Sequence, residues 1–152
     1  MEYECFPLNE DDLVECAYLF VNAFKHEPWN EDWDFKDAFR RLSNFLSPPY
    51  SIGLKVVGKN GIQGFLVGEM EQWRGAQSFY LKEICISKKR QRSGLGKELM
   101  DALQNDLLKR GVSRIYLITQ RESVPELFYK SLGFETNGSL HIMGKSVKEN
   151  TP

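Results

Sequence analysis

Six consecutive residues, Gln91-Arg92-Ser93-Gly94-Leu95-Gly96, have the types and spacing of an anion cradle. They follow the apolar run Leu81-Lys82-Glu83-Ile84-Cys85-Ile86 and open a periodic run from Leu95 to Leu108. Strand, tight basic turn and helix start, in that order, leave free backbone amides where the helix dipole favours negative charge. Glycine lets the backbone approach a phosphate closely and take conformations closed to other residues. Lys88, Lys89, Arg90, Arg92 and Lys97 surround the turn.

Two common phosphate motifs do not fit. A P-loop needs glycine five residues before Gly96 and Ser or Thr after Lys97; the chain has Gln91 and Glu98. A dinucleotide fingerprint needs a third glycine where Leu99 stands. The pattern that fits is (Gln/Arg)-x-x-Gly-x-(Gly/Ala), and on it the chain resembles the GNAT family of N-acetyltransferases. The resemblance implies that residues Gln91, Arg92, Ser93, Gly94, Leu95, Gly96 and Lys97 grip the pyrophosphate of acetyl-CoA. It implies a sheet that splays between the strand at 79–86 and the strand at 114–119. The pantetheine arm would lie in that split and pair with backbone at Ile84, Cys85 and Ile86.

Leu127-Phe128-Tyr129-Lys130-Ser131-Leu132-Gly133-Phe134 resembles the family's Tyr-x-x-x-Gly-Phe segment. The resemblance places Tyr129 as general acid for the departing thiolate. A phenol near pKa ~10 can donate to a thiolate of pKa ~8.5. Where many members carry Asn, seven residues before this Tyr, the chain has Glu122, so that cofactor contact is not carried over. An acceptor ammonium near pKa ~10 must lose a proton before it attacks a thioester. Glu83, in the apolar strand before the cradle, is the candidate base, with Glu69 as an alternative; ion pairing to Lys82 or another cation is the competing role.

The acceptor side is expected in the connection His26-Glu27-Pro28-Trp29-Asn30-Glu31-Asp32-Trp33-Asp34. Its Pro-Trp-Asn loosely resembles aminoglycoside 6'-N-acetyltransferase-type members. Carboxylates and indole faces suit a cationic amine, so Trp29, Glu31, Trp33 and Asp34 are the candidate substrate residues. A solvated helix cap with tryptophans packed on the core is the alternative. Residues 1–34 hold ten acids and one base, a charge of −9 in a chain whose net charge is −1. The expected reaction is direct attack of a primary amine, in a ternary complex, on acetyl-CoA. Protein lysines or N-termini are alternative acceptors, and a non-catalytic acyl-CoA-binding regulator would use the same cradle.

The composition excludes other classes. A basic run this short, at pI ≈ 6.2, does not make a nucleic-acid binder. Cys5, Cys16 and Cys85 form no CxxC, which argues against a disulfide framework or zinc, and no metal is expected. His26 and His141 stand alone, outside any triad or metal set. No signal peptide or ~20-residue apolar run appears, so a cytoplasmic location is the default and no membrane partner is expected. Family members often form homodimers.

The elements that must position these residues follow from periodicity. Glu2 to Leu8 reads as a strand. Residues 10–25 read as a helix capped by Asn9, and Phe35 to Phe45 as a second, ended by Pro48-Pro49. Ser51–Gly58 and Ile62–Glu69 are strands around Lys59-Asn60-Gly61, a hairpin signal. Met70 to Gln77 reads as a loop or strand extension, and Phe79 to Ile86 as a central strand. The helix after the cradle stops at Gly111. Arg114–Thr119 is expected as a buried strand, 123–132 as a helix, and Phe134–Thr136 and Ser139–Val147 as strands around Asn137-Gly138. The fold class expected is α/β (α+β), a single mixed central sheet flanked by helices, in one N-acetyltransferase domain over 1–148 with a frayed tail at 149–152.

Overall fold

The computed structural model describes residues 4–148; the ends, including the tail from 149, lie outside the described residues. The chain divides into two compact units, one up to Thr119 and one from Gln120.

The first unit holds five strands in sequence order: β1 (Glu4–Pro7), β2 (Ser51–Gly58), β3 (Gly61–Trp73), β4 (Ala76–Ile86) and β5 (Val112–Leu117). The first four pair antiparallel, and β5 joins β4 in parallel. Parallel neighbours need a crossover, and α3 (Leu95–Lys109) supplies it. α1 (Leu13–Lys25) and α2 (Phe35–Leu46) connect β1 to β2. α1 follows a 3-10 turn at Glu10–Asp12, where Asn9 and Asp12 form a capping box. Asp12 also pairs with Lys55 Nζ at 2.7 Å.

Alternation along β3 assigns the two faces. Phe65 is fully buried with Phe20, Phe24, Ala38 and Leu42 of α1 and α2. Its neighbour Gly64 faces Leu99 of α3, whose Cδ1 would lie 3.3 Å from a Cβ built there. α3 buries Leu95, Leu99, Met100, Leu103 and Leu107. Each side chain of this kind contributes roughly 1.5–3 kcal/mol.

Of the two roles expected for Met70–Gln77, loop or strand extension, the structure takes the second: β3 continues to Trp73 and β4 starts at Ala76, with the turn between them. Two other expectations are corrected. The strand expected at Arg114–Thr119 starts at Val112, ends at Leu117 and is not buried. Val112 alone is buried, because β5 pairs on one side only and stands at the sheet's end.

The second unit holds α4 (Val124–Ser131), capped by Ser123, with Pro125 in its first turn. The strands expected at Phe134–Thr136 and Ser139–Val147 do not form. Local hydrogen bonds take their backbone instead. The Phe134 amide donates to Tyr129 O at 3.1 Å to close α4, and Ser139 N donates to Asn137 Oδ1 at 3.1 Å. Leu140, Ile142, Met143 and Val147 are left exposed.

Candidate active site

The cradle lies at the start of α3. Gly94 is its N-cap at φ +87°, and Arg92 also takes a positive φ of 66°. Two positive-φ residues in one short turn redirect the chain into α3, whose first amides have no intrahelical partner. A Cβ at Gly94 would meet nothing within 4 Å, so the surface over the turn is open. Lys88, Lys89, Arg90, Arg92 and Lys97 are all exposed around it. This combination of open backbone, helix start and cations fits a polyphosphate.

Not every expected cradle side chain is directed to a ligand. Leu95 is buried in the core, and only its backbone is available. Gln91 donates its Nε2 to the Ile86 carbonyl at 3.2 Å, which ties the turn to the end of β4. Ser93 Oγ donates to the Arg90 carbonyl. Lys97 pairs with Asp101 at 2.8 Å, one turn along α3.

Beside the cradle, β4 leaves β5. Their pairing runs from Gln77–Val112 to Leu81–Leu117 and stops. Ile84, Cys85 and Ile86 remain paired to β3, opposite Leu66, Phe65 and Gly64. Their other flank carries no β5 partner, as the expected split requires. Cys85 is buried, and burial pushes its thiol well above the usual range, so it is inert.

The split coincides with a β-bulge. Leu81 pairs with Gly68 and Glu83 with Val67, leaving Lys82 as the extra residue. Both bulge residues therefore reach α2. Lys82 Nζ lies 5.1 Å from the Phe45 ring and pairs with Glu69 at 3.1 Å. Glu83 Oε1 accepts from Arg41 Nε at 3.1 Å, with the Glu83 side chain only 13% exposed. Burial raises the Glu83 pKa to about 7, Arg41 pulls it back down, and Glu31 adds to the rise.

Of the acceptor candidates, the structure gathers two around this carboxylate. Trp33 donates its Nε1 to Glu31 Oε1 at 2.9 Å, and the Arg41 guanidinium lies 5.7 Å from the Trp33 ring and 4.6 Å from Phe45. Trp33, Arg41 and Phe45 also line a cleft of about 310 Å³ with Asp37, Arg40 and Asn44. The other two have structural work. Asp34 is the N-cap of α2, accepting from Lys36 N at 2.7 Å, and Trp29 packs edge-on against Phe24 at 4.9 Å.

Arg41 was not singled out by sequence reasoning. A signal existed: it lies three residues after buried Ala38 and four before Phe45, on the border of the apolar stripe. The stacked pair Tyr80 and Tyr116, with ring centroids 4.6 Å apart and Tyr116 Oη donating to Glu71 at 2.5 Å, was also missed. Tyr129 belongs to the second unit and is half-buried between Phe128 and Phe134, at 5.3 and 5.6 Å. Among the described residues no cluster of three metal-ligating side chains occurs, and no helix is long and apolar enough to cross a membrane.

Solved structures share this fold across nearly the whole chain. A protein described as a possible acetyltransferase from Clostridium difficile 630 superposes with a TM-score of 0.81 at 16% identity, covering 98% of this chain and 100% of its own. The aminoglycoside acetyltransferase meta-AAC0020 from an uncultured soil metagenomic sample, in complex with sisomicin, gives 0.74 at 18%, covering 97% of both chains. A ribosomal-protein-alanine N-acetyltransferase from Brucella melitensis biovar Abortus 2308 gives 0.74 at 17%, covering 94% of this chain and 99% of its own. No curated protein matches by sequence. The sequence profile of the acetyltransferase (GNAT) domain matches residues 59–144, which run from the β2–β3 turn past α4 and include the split, Glu83, the cradle and Tyr129. The chain therefore belongs to the GNAT family of acetyl-CoA-dependent N-acetyltransferases.

Proposed function

We propose that this protein moves an acetyl group from acetyl-CoA to a primary amine, most readily a small cationic one, by direct attack in a ternary complex. The observation that carries the reading is the position of Glu83: a buried carboxylate with a pKa near neutrality, on the strand whose open flank runs into the cradle. Acetyl-CoA supplies the activated thioester. The α3 amides and the basic turn hold its pyrophosphate, and the open flank of β4 at Ile84, Cys85 and Ile86 aligns its pantetheine arm. Glu83, directly or through a water, takes a proton from the acceptor ammonium, which leaves the lone pair that attack requires. Tyr129 returns a proton to the departing thiolate; its motif supports this role.

Glu31, exposed beside Glu83, favours a cationic acceptor, and Trp33, which donates to Glu31, keeps that carboxylate in place. Complexation of the meta-AAC0020 enzyme with sisomicin points the same way. The ribosomal-protein-alanine enzyme keeps a protein N-terminus as the second reading. A panel of polyamine, aminoglycoside, N-terminal peptide, lysine peptide and anionic amine, with free CoA as readout, separates these. Cationic small amines should give the highest kcat/KM, and it should fall with added salt. Equal use of anionic amines refutes the acceptor assignment.

A further inference from the structure

Glu83 is buried beside a cation that has no place in the reaction as described so far. Arg41 projects from α2 with its guanidinium near two rings, Trp33 and Phe45, and its Nε donates to one oxygen only, Oε1 of Glu83. We propose that Arg41 is a positioning residue for the acetyl transfer: it fixes the Glu83 carboxylate by Oε1 and leaves Oε2 to receive the acceptor's proton. This rests on the reading of Glu83 as the base.

Three features support it. The contact is one-sided: Nε rather than both terminal nitrogens makes the bond, so the carboxylate is held without a two-pronged clamp that would occupy both oxygens. The guanidinium is itself steered by the Trp33 and Phe45 rings, an arrangement a planar cation suits better than an ammonium. Trp33 is in turn anchored by Glu31, so the residue that aims Arg41 is tied to the acceptor side. The neighbouring cation Lys82 is committed to Glu69, which leaves Arg41 as the cation paired with Glu83.

The charge balance around Glu83 follows. On α2 it faces Arg41; from the α1–α2 connection it feels Glu31; Lys82 of its own strand, paired with Glu69 of β3, flanks it, and Cys85 is a buried neutral thiol. Arg41 offsets the burial cost of the carboxylate, so that a useful fraction of Glu83 is ionised near neutral pH. Without Arg41, burial and Glu31 both act to keep the proton on.

The test uses full-length wild type, Arg41→Met, Arg41→Lys and Glu83→Gln, each checked for folding by circular dichroism. Carboxyl ¹³C NMR titration of the free proteins reads Glu83 directly, and kcat and kcat/KM are followed from pH 5.5 to 9.5. In Arg41→Met the Glu83 midpoint and the acid limb of kcat should both move up by about one pH unit, the low end for loss of an opposite charge. Turnover should then fall about fivefold at pH 7 and recover by pH 9.5, with the KM for acetyl-CoA unchanged. Arg41→Lys should restore the midpoint in part. An unmoved Glu83 midpoint, or a loss of turnover uniform across pH, overturns the role of Arg41. A midpoint that moves while the rate profile stays put, or a Glu83→Gln variant with the wild-type profile, instead overturns Glu83 as the base.

Discussion

Replacing Gly94 by alanine separates backbone strain from ligand recognition, because Gly75 provides a matched control. Gly94 sits at φ +87° and Gly75 at φ +70°, and a Cβ at either would meet nothing within 4 Å. Neither alanine clashes, so the cost in the free protein is the left-handed conformation, about 1 kcal/mol at each. For a chain of this length that lowers Tm by roughly 2–4 °C. Gly75 lies in the turn between β3 and β4, and Gly94 in the cradle. In the proposed site a pyrophosphate comes close over Gly94, so a methyl group there should weaken acetyl-CoA binding at least ~10-fold, about 1.4 kcal/mol. Urea melts and calorimetric titration with acetyl-CoA measure the two effects on the same samples. Equal losses of stability, with affinity lost only in Gly94→Ala, are the expected result. Wild-type affinity in a folded Gly94→Ala would remove the cradle assignment.

Tyr129→Phe should lower turnover by roughly 10²-fold and leave acetyl-CoA affinity within about twofold, since only the departing thiolate needs its proton; wild-type turnover would make Tyr129 a packing residue. Asp34→Ala should cost about 1 kcal/mol of stability as a lost N-cap and leave acceptor KM unchanged, whereas Glu31→Gln should raise KM for cationic acceptors with little loss of stability; the reverse pattern, in steady-state assays and urea melts, would return Asp34 to the acceptor site. Burial raises the Glu83 pKa from 4.5 to about 7, so the folded protein favours its protonated form. The stabilisation is therefore full below the unfolded pKa and fades as pH climbs through about 7, by up to ~3 kcal/mol at ~1.4 kcal/mol per unit. Urea melts at pH 4.5 and 8 should show that slope in wild type and lose it in Glu83→Gln; an unchanged slope would place the titration elsewhere.

The sequence made the cradle legible because its signal is local: glycines, cations and a helix start within a few residues. It also made the helices legible, because apolar residues such as Leu13, Ala17, Phe20 and Phe24 recur at helical spacing. The bulge at Lys82 was not legible. An extra residue in β4 has meaning only against the register of β3, so nothing in the sequence marks Lys82 as extra. Arg41 stayed hidden for the same reason: the partner that gives it a role is on a distant strand. Asp34 could have been read correctly, since an Asp just before an apolar-periodic run is an N-cap signal, but the tryptophans nearby drew it into the acceptor set. In Ser139–Val147 the apolar residues suggested a strand, yet a strand also needs a partner edge, and the local turn at Asn137 took the first amides instead.

The open flank of β4 has a consequence for how this sequence can change over time. Along this stretch the side chains of Cys85 and Ile86 are committed to the protein's own packing: Cys85 lies in the cluster with α1 and α2, and Ile86 faces α3 beside Leu99. What the open flank presents is main-chain N–H and C=O, which every residue but proline carries. Apolar substitutions here are therefore filtered by packing and are silent towards whatever pairs with the strand. Proline is the exception, since it would delete a donor while satisfying any demand for bulk. A stretch of this kind can drift far in sequence while its hydrogen-bonding face stays the same.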